Sequence, residues 1–219
     1  MCAKTYVAHP PKWSHRTCAP INARVMSISK TRLHLVDCAR ELFARKGLDA
    51  TTMNDIAVAS GKGRRTLYTY FKNKEEIYEA VITSELERLS ERMDELANTK
   101  LTPEEKVLAL VYTHLTMMKE AVSRNGSLRA EFFRNIWTVE RVRKTLDIEE
   151  RNVIRRVLEE GIVAGYFEID NVNLMADIIY YSIKGLEVPY IYDRLGEGLT
   201  EDQSKAIVAD ILKRVLIKK

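Results

Sequence analysis

The stretch TTMNDIAVASGKGRRTLYTYF, residues 51–71, decides how this chain folds. Thr52 stands three residues before Asp55, and this pair is typical of a helix N-cap followed by an acidic residue in the first turn. Gly61 interrupts the helical pattern with a residue that readily adopts a positive φ angle, so we expect a turn there. The stretch therefore predicts two short helices joined by a tight turn. The predicted helices span about residues 53–60 and 64–70.

Two short helices joined by a glycine-containing turn, with a preceding helix as support, form a helix-turn-helix, which binds DNA. Leu67 and Phe71 lie four residues apart and anchor the second helix inward. Such a helix reads bases with its N-terminal residues, and arginine is the commonest reader of guanine. The alternative is an ordinary helical hairpin with a solvated basic face. The predicted DNA-binding residues, which read bases or hold phosphates, are Thr52, Arg64, Arg65, Thr66, Tyr68, Thr69, Tyr70 and Lys74.

Residues from about Thr31 to Val81 resemble the DNA-binding head of the TetR/AcrR transcription regulators. The most specific match is the Leu-Tyr-x-Tyr-Phe-x-x-Lys pattern from Leu67 to Lys74. This pattern also lies at the distance from the first helix that is found in the family. The matching segments are AREL and Phe at 39–43, KG at 46–47, TTMNDIA at 51–57, SG at 60–61 and TLYTYFKNKEE at 66–76.

The chain departs from the family at three positions in and after the turn. Members often have an apolar residue, a serine and a glycine where this chain has Lys62, Gly63 and Arg65. Two of these changes add positive charge to the surface that would face DNA, so an operator sequence cannot be carried over. The resemblance implies a transcription regulator, usually a repressor that a small-molecule effector releases from a pseudo-palindromic operator. A ligand-responsive activator and a helical adaptor that binds no DNA are the alternatives.

The composition and the apolar spacing predict an all-α protein. Only 9 glycines and 5 prolines occur in 219 residues, and the apolar periodicity predicts about nine helices. Within the C-terminal part, one helix is expected to begin at Asp147. Three prolines interrupt the N-terminal residues, and Met26 is a candidate start codon. The predicted organisation is a disordered basic tail (1–27), a three-helix DNA-binding head (28–74) and a larger helical body for ligand binding and dimerisation (75–219).

Charge is distributed unevenly along the chain. Residues 1–25 carry four basic residues and no acidic residue, and residues 26–78 carry a further basic excess. The remaining residues carry more acidic than basic side chains. A basic front and an acidic back indicate that only the front meets a polyanion. The predicted partner is therefore a double-stranded DNA operator.

Other classes of protein lack their sequence signatures here. We find no nucleophile elbow, dinucleotide-binding glycine loop or metal-ligand motif, which argues against an enzyme, a cofactor and a metal site. Gly61-Lys62 is not a phosphate-binding loop, because no Ser or Thr follows Lys62. No apolar run is long enough to cross a membrane. Three cysteines without a CxxC pair suit a reducing compartment, so a cytoplasmic protein is expected.

The resemblance also implies two sites in the body. In such regulators the last two helices pack against the same helices of a second chain to form a homodimer, and an effector cavity lies within the middle helices. An apolar lining with a few hydroxyl groups suits a small-molecule pocket, although the same residues at helical spacing can be plain core. The predicted dimerisation residues are Ile179, Ile183, Leu186, Ile211 and Val215. The predicted ligand-binding residues are Tyr112, Met117, Met118, Phe132, Phe133, Trp137 and Tyr181.

Overall fold

The computed structural model describes residues 30–124 and 136–217. Within these ranges the chain forms eight α-helices and no strand, which confirms the predicted all-α class. The predicted tail at 1–27 lies outside the described residues. The helices are α1 (Lys30–Lys46), α2 (Met53–Ala59), α3 (Arg64–Tyr70), α4 (Lys74–Ala97), α5 (Pro103–Arg124), α6 (Ile136–Val163), α7 (Val172–Ile191) and α8 (Glu201–Leu216).

The helix boundaries follow local capping chemistry. The Thr52 hydroxyl accepts a hydrogen bond from the backbone N–H of Asp55 at 3.1 Å, and the Asp55 carboxylate accepts one from the backbone N–H of Thr52 at 2.9 Å. This capping box satisfies two backbone donors that the start of α2 would otherwise leave unpaired. Thr200 and Gln203 make the same arrangement at the start of α8. α1 ends before Gly47, whose φ of 85° closes the helix.

The prediction of a new helix at Asp147 is wrong, because α6 runs unbroken for 28 residues. Residues 144–147 contain neither glycine nor proline, so nothing in the backbone ends the helix there. Asp147 does not act as a cap. Its carboxylate lies 3.6 Å from the ammonium of Lys184 on α7, so Asp147 forms an ion pair between α6 and α7.

The helices share one continuous hydrophobic core. In the N-terminal part, α1 and α2 bury Leu35, Phe43 and Ile56. α4 then carries the chain from α3 into the second half, where it packs against α5 and α6, and α7 packs against α5 and α6. α8 packs on α5. Among the described helices none is both long and apolar enough to cross a lipid bilayer.

Candidate functional site

The turn between α2 and α3 is fixed by its backbone and by α1. Gly61 has a φ of +62°, a conformation that residues with a side chain rarely adopt. The backbone N–H of Lys62 donates to the carbonyl of Ala57 at 3.0 Å. His34 on α1 donates from Nε2 to the carbonyl of Ser60 at 3.1 Å. The support that α1 gives to this turn therefore includes a side-chain hydrogen bond as well as apolar packing.

α3 divides cleanly into an inner and an outer face. Leu67 is fully buried, and Phe71 directly after the helix is 1% exposed, as their spacing predicts. Four of the predicted DNA-binding residues lie together on the opposite, exposed face. These residues are Arg64, Arg65, Tyr68 and Thr69. The outer face thus presents two guanidinium groups at the N-terminal end of α3, where a recognition helix contacts bases.

The other predicted DNA-binding residues are less available. Thr66 and Tyr70 are half-buried, and Tyr70 packs against the core. Thr52 is exposed, but its hydroxyl already donates to the Asp55 carboxylate at 3.0 Å. The hydrogen bonds from Thr52 hold the pKa of the Asp55 carboxyl below its usual value. Thr52 therefore acts first as a helix cap.

Lys74 has a structural role that the sequence does not predict. Its ammonium donates to the carbonyl of Leu48 at 2.6 Å and to that of Asp49 at 3.3 Å. These carbonyls lie in the connection between α1 and α2, so Lys74 joins the start of α4 to that connection. An ammonium has three N–H donors, which leaves one of them for a phosphate.

Lys62 is a further candidate that was absent from the predicted set. Its side chain is exposed in the turn directly before Gly63, the N-cap residue of α3. Members of the family that the sequence resembles more often have an apolar residue at this position. An exposed ammonium here extends the positive surface formed by Arg64 and Arg65.

Two of the predicted dimerisation residues are wrong. Ile179 is 8% exposed and Ile183 is 1% exposed within the single chain, so both belong to its own core. Leu186 is half-buried and packs against that core. Ile211 and Val215 on α8 are more than half exposed, as an interface requires. Helical spacing alone could not separate the two faces of α7, because both carry apolar residues.

The exposed apolar side chains of α7 and α8 define a different surface, the outer apolar face. Along each helix they are separated by three, four or seven residues, which places them on one side. The outer apolar face comprises Leu174, Ile178, Tyr181, Val188, Ile207, Ile211 and Val215. Exposed apolar side chains grouped on one side of a helix mark a candidate site of association.

Four of the predicted ligand-binding residues have described side chains, and these four lie in different environments. Tyr112 and Met118 are buried core residues, and the Tyr112 hydroxyl lies 2.8 Å from the Ser204 hydroxyl on α8. Met117 is half-buried and packs on the core. Tyr181 is 61% exposed on the outer apolar face, so its assignment to an internal cavity is wrong.

The remaining members of that set lie beyond what the structure describes. Phe132 and Phe133 fall between the two described ranges, and Trp137 belongs to α6 without a described side chain. A small cavity lies elsewhere, between α4 and α6, with Leu86, Leu89 and Leu146 on its apolar side. It has room for about one water molecule.

Beside this cavity is a buried charge cluster that the sequence does not predict. His114 on α5 is fully buried between the carboxylates of Glu150 on α6 and Glu187 on α7. Its Nε2 lies 2.8 Å from Glu187 Oε1, and its Nδ1 contacts Glu150 Oε1. Arg143 donates to the same Glu187 oxygen at 2.5 Å. Lys184 lies 3.9 Å from that oxygen.

The cluster is held in its charged form. Burial lowers the pKa of His114, but Glu150 and Glu187 outweigh burial and raise it to about 9. Burial raises the pKa of Glu187, but His114 and Arg143 outweigh this and lower it to about 2. His114, Arg143 and Glu187 are all buried, so removing any one of these three leaves an unpaired buried charge. In the described ranges no group of histidine, cysteine and carboxylate side chains is arranged to hold a metal ion.

Comparison with known proteins places this geometry in a family. Residues 35–81 match the signature of the bacterial regulatory proteins of the tetR family. The transcriptional repressor KstR2 of Rhodococcus jostii is 32% identical over 147 residues, which cover 65% of this chain and 70% of the relative. The HTH-type regulator YhgD of Bacillus subtilis is 27% identical over 140 residues, 64% of this chain and 73% of the relative.

Solved structures agree with this assignment. A TetR/AcrR-family regulator from Thermobifida fusca superposes with a TM-score of 0.66 at 22% identity, over 87% of this chain and all of the other. The ketosteroid regulator KstR2 of Mycobacterium tuberculosis superposes with a TM-score of 0.54 at 25% identity, over 87% of this chain and 96% of that one. The geometry of α3 agrees with the similarity in sequence and fold that extends past the helix-turn-helix. The chain belongs to the TetR family of helix-turn-helix transcription regulators.

Proposed function

We propose that this protein is a homodimeric transcriptional repressor that binds a pseudo-palindromic operator and is released from it by a small-molecule effector. The observation that carries the proposal is the outer face of α3, where Arg64 and Arg65 are exposed at the N-terminal end of a helix that Leu67 anchors in the core. A short helix held in this way enters the major groove with those side chains foremost. Since DNA is its partner, we place its action in the cytoplasm.

The residues divide into two roles on DNA. Arg64 and Arg65 are the proposed base readers, because a guanidinium can donate two hydrogen bonds to guanine O6 and N7. Tyr68 and Lys62 are proposed phosphate contacts, since both are exposed at the start and outer side of α3, whereas the Thr69 hydroxyl donates to the carbonyl of Arg65 at 2.9 Å. Phosphate contacts position the protein, and base contacts give it specificity.

Dimerisation is assigned to the outer apolar face of α7 and α8. Ile207, Ile211 and Val215 are each at least half exposed and lie four residues apart along α8. Burying them against the same face of a second copy would form a two-fold interface. Such a dimer presents two recognition helices to half-sites that are a whole number of helical turns apart.

The repressor assignment is supported by the relatives, several of which are named repressors. For effector release, the relevant part of the body is the buried charge cluster, which joins α5, α6 and α7. An effector that binds one arrangement of these helices better than another would shift the protein toward that arrangement.

The direct test is selection of binding sites from random double-stranded DNA by the full chain. We expect a two-fold symmetric motif. The selected operator and a scrambled duplex are then titrated against wild type, Arg64→Ala and Arg65→Ala by fluorescence anisotropy. Loss of a base-reading arginine should cost about 1–3 kcal/mol on the operator and relax preference at one or two base pairs.

Glu41→Ala serves as a matched control, because Glu41 is exposed on α1 and none of the DNA-facing roles is assigned to it. If both arginine variants lose equal affinity for operator and scrambled DNA, these arginines contact the DNA backbone and not the bases. Repression itself is tested with a reporter gene behind the selected operator. Higher expression in the presence of the protein would identify an activator and contradict this part of the proposal.

A further inference from the structure

One carboxylate in the middle of α4 is shared by arginines from two other helices. Glu85 Oε1 lies 3.1 Å from Arg40 Nε on α1, and Glu85 Oε2 accepts a hydrogen bond from Arg124 on α5 at 2.8 Å. The Glu85 side chain is 11% exposed, so water screens these contacts less than it screens a surface ion pair. Arg124 is the last residue of α5.

Both arginines are also held by further side chains. Arg40 donates to Asp37 at 2.6 Å on its own helix and to the hydroxyl of Ser84 at 2.7 Å on α4. Arg124 donates to Glu120 at 3.2 Å on α5. A guanidinium has a rigid, planar set of donors, so contacts on several sides fix its orientation as well as its position.

The two ends of this arrangement reach the two functional parts of the molecule. α1 carries His34, which holds the turn of the helix-turn-helix through the carbonyl of Ser60. α5 carries His114, which is joined to Glu187 on α7, and α7 bears part of the outer apolar face. The helices α1 and α5 therefore connect three separate polar contacts, at the DNA-binding turn, at Glu85 and at Glu187 on the helix proposed to dimerise.

We infer that Glu85 is a positioning residue for operator recognition. Its contacts with Arg40 and Arg124 hold α1 and the end of α5 together, which fixes the angle between the DNA-binding head and the body. That angle sets the half-site spacing that the dimer selects. This inference rests on the proposed function. In a two-fold dimer the distance between the recognition helices follows from that angle, and half-site spacing is its direct geometric consequence.

Glu85 should affect the distance between half-sites without affecting which bases are read. Glu85 lies on α4 and does not belong to the outer face of α3. Removing its charge should therefore leave the half-site sequence unchanged while the distance between half-sites becomes less restricted. A residue that only stabilised the fold would weaken all operators alike and leave their relative affinities unchanged.

The experiment is binding-site selection with full-length wild type, Glu85→Gln and a control variant, Glu95→Gln. Glu95 lies on the same helix and pairs with Arg92 at 3.0 Å, with both side chains mostly exposed. Operators that differ only by one inserted or deleted central base pair are then titrated. We expect Glu85→Gln to select the same half-site with a broader range of spacings, and its discrimination against altered spacers to fall roughly 2- to 30-fold. Glu95→Gln should match wild type.

A second pair of variants covers the case in which Glu85→Gln folds poorly. Arg124→Gln should relax the spacing preference in the same way, and Arg124→Lys, which keeps the charge, should restore part of it. Wild-type spacing preference in folded Glu85→Gln and Arg124→Gln overturns the inference, as does a uniform loss across all spacers. If wild type itself selects no symmetric motif, the proposed function is wrong. That result differs from a failure of the inference about Glu85, in which wild type selects a motif and the variants keep its spacing.

Discussion

The Nε2 of His114 lies 2.8 Å from the Glu187 carboxylate and joins the middle of α5 to α7 in the interior of the body. Neither side chain has access to solvent beyond a few per cent. A histidine held between two carboxylates stays protonated, and a buried carboxylate beside a histidine and an arginine stays ionised. The contact is therefore an ion pair at neutral pH, and it couples the helix that ends at Arg124 to the helix that bears the outer apolar face.

The first prediction concerns the pH dependence of stability. Since the pKa of His114 in the folded chain, about 9, lies above its ordinary value of 6.5, its stabilising contribution is complete below pH 6.5 and is lost as the pH rises through 9. We expect wild type to lose about 3 kcal/mol more than His114→Gln between pH 6.5 and 9.5. Urea unfolding at several pH values measures this difference.

Glu41→Ala is the control, because Glu41 is exposed on α1 and lies outside the cluster. The extra loss of stability at high pH should remain in this variant. On the acid side, the Glu187 pKa of about 2 means that its contribution is present above pH 4.5 and is lost as the pH falls toward 2. Parallel pH profiles for wild type and His114→Gln would show that the cluster is not charged as described.

The division of α3 could be predicted from the sequence because it depends on local spacing. Leu67 and Phe71 are four residues apart and are both buried, whereas Arg64 and Arg65 are exposed at the start of the helix. The turn at Gly61 follows in the same way from the backbone freedom of glycine. These features lie within about twenty residues of one another, and no distant partner decides them.

The charge cluster could not be predicted, because its members are distant in sequence. Glu150 and Glu187 stand 36 and 73 residues from His114 and meet it only after α5, α6 and α7 have packed. The errors at Ile179 and Ile183 have a related cause. α7 is apolar on both sides, so its periodicity indicates a buried helix without indicating which side meets its own core.

The second prediction tests the outer apolar face. Ile211→Asp should leave the single chain folded, because this side chain is 53% exposed before association, and should abolish the dimer by placing a charge in the interface. Ile183→Asp should instead unfold the chain, since that side chain is 1% exposed. Light scattering with circular dichroism distinguishes the two results. Lys213→Gln, on the other side of α8, is expected to remain dimeric.

The third prediction concerns Thr52. Its hydroxyl accepts from the backbone of Asp55 in the capping box of α2, so Thr52→Ala should lower the free energy of unfolding by about 1 kcal/mol. Thr52→Ser keeps the oxygen and should retain most of that stability. Thermal unfolding in the absence of DNA gives the comparison. Wild-type stability in Thr52→Ala, together with weaker DNA binding, would instead make the hydroxyl a phosphate contact only.

The last prediction concerns Lys74, which has two functions to separate. Its hydrogen bonds to the carbonyls of Leu48 and Asp49 hold the connection before α2, and its remaining N–H is available to a phosphate. We expect Lys74→Met to lower the stability of the protein and to weaken binding to operator and scrambled DNA alike. The plot of log affinity against log salt concentration should lose about one unit of slope, because one phosphate contact fewer releases one counterion fewer.

Lys72→Met, which changes an exposed lysine two residues earlier, controls for the loss of a charge near the DNA. An unchanged salt slope in Lys74→Met, with reduced stability, would assign Lys74 entirely to the support of the α1–α2 connection and leave phosphate binding to Lys62 and the outer face of α3.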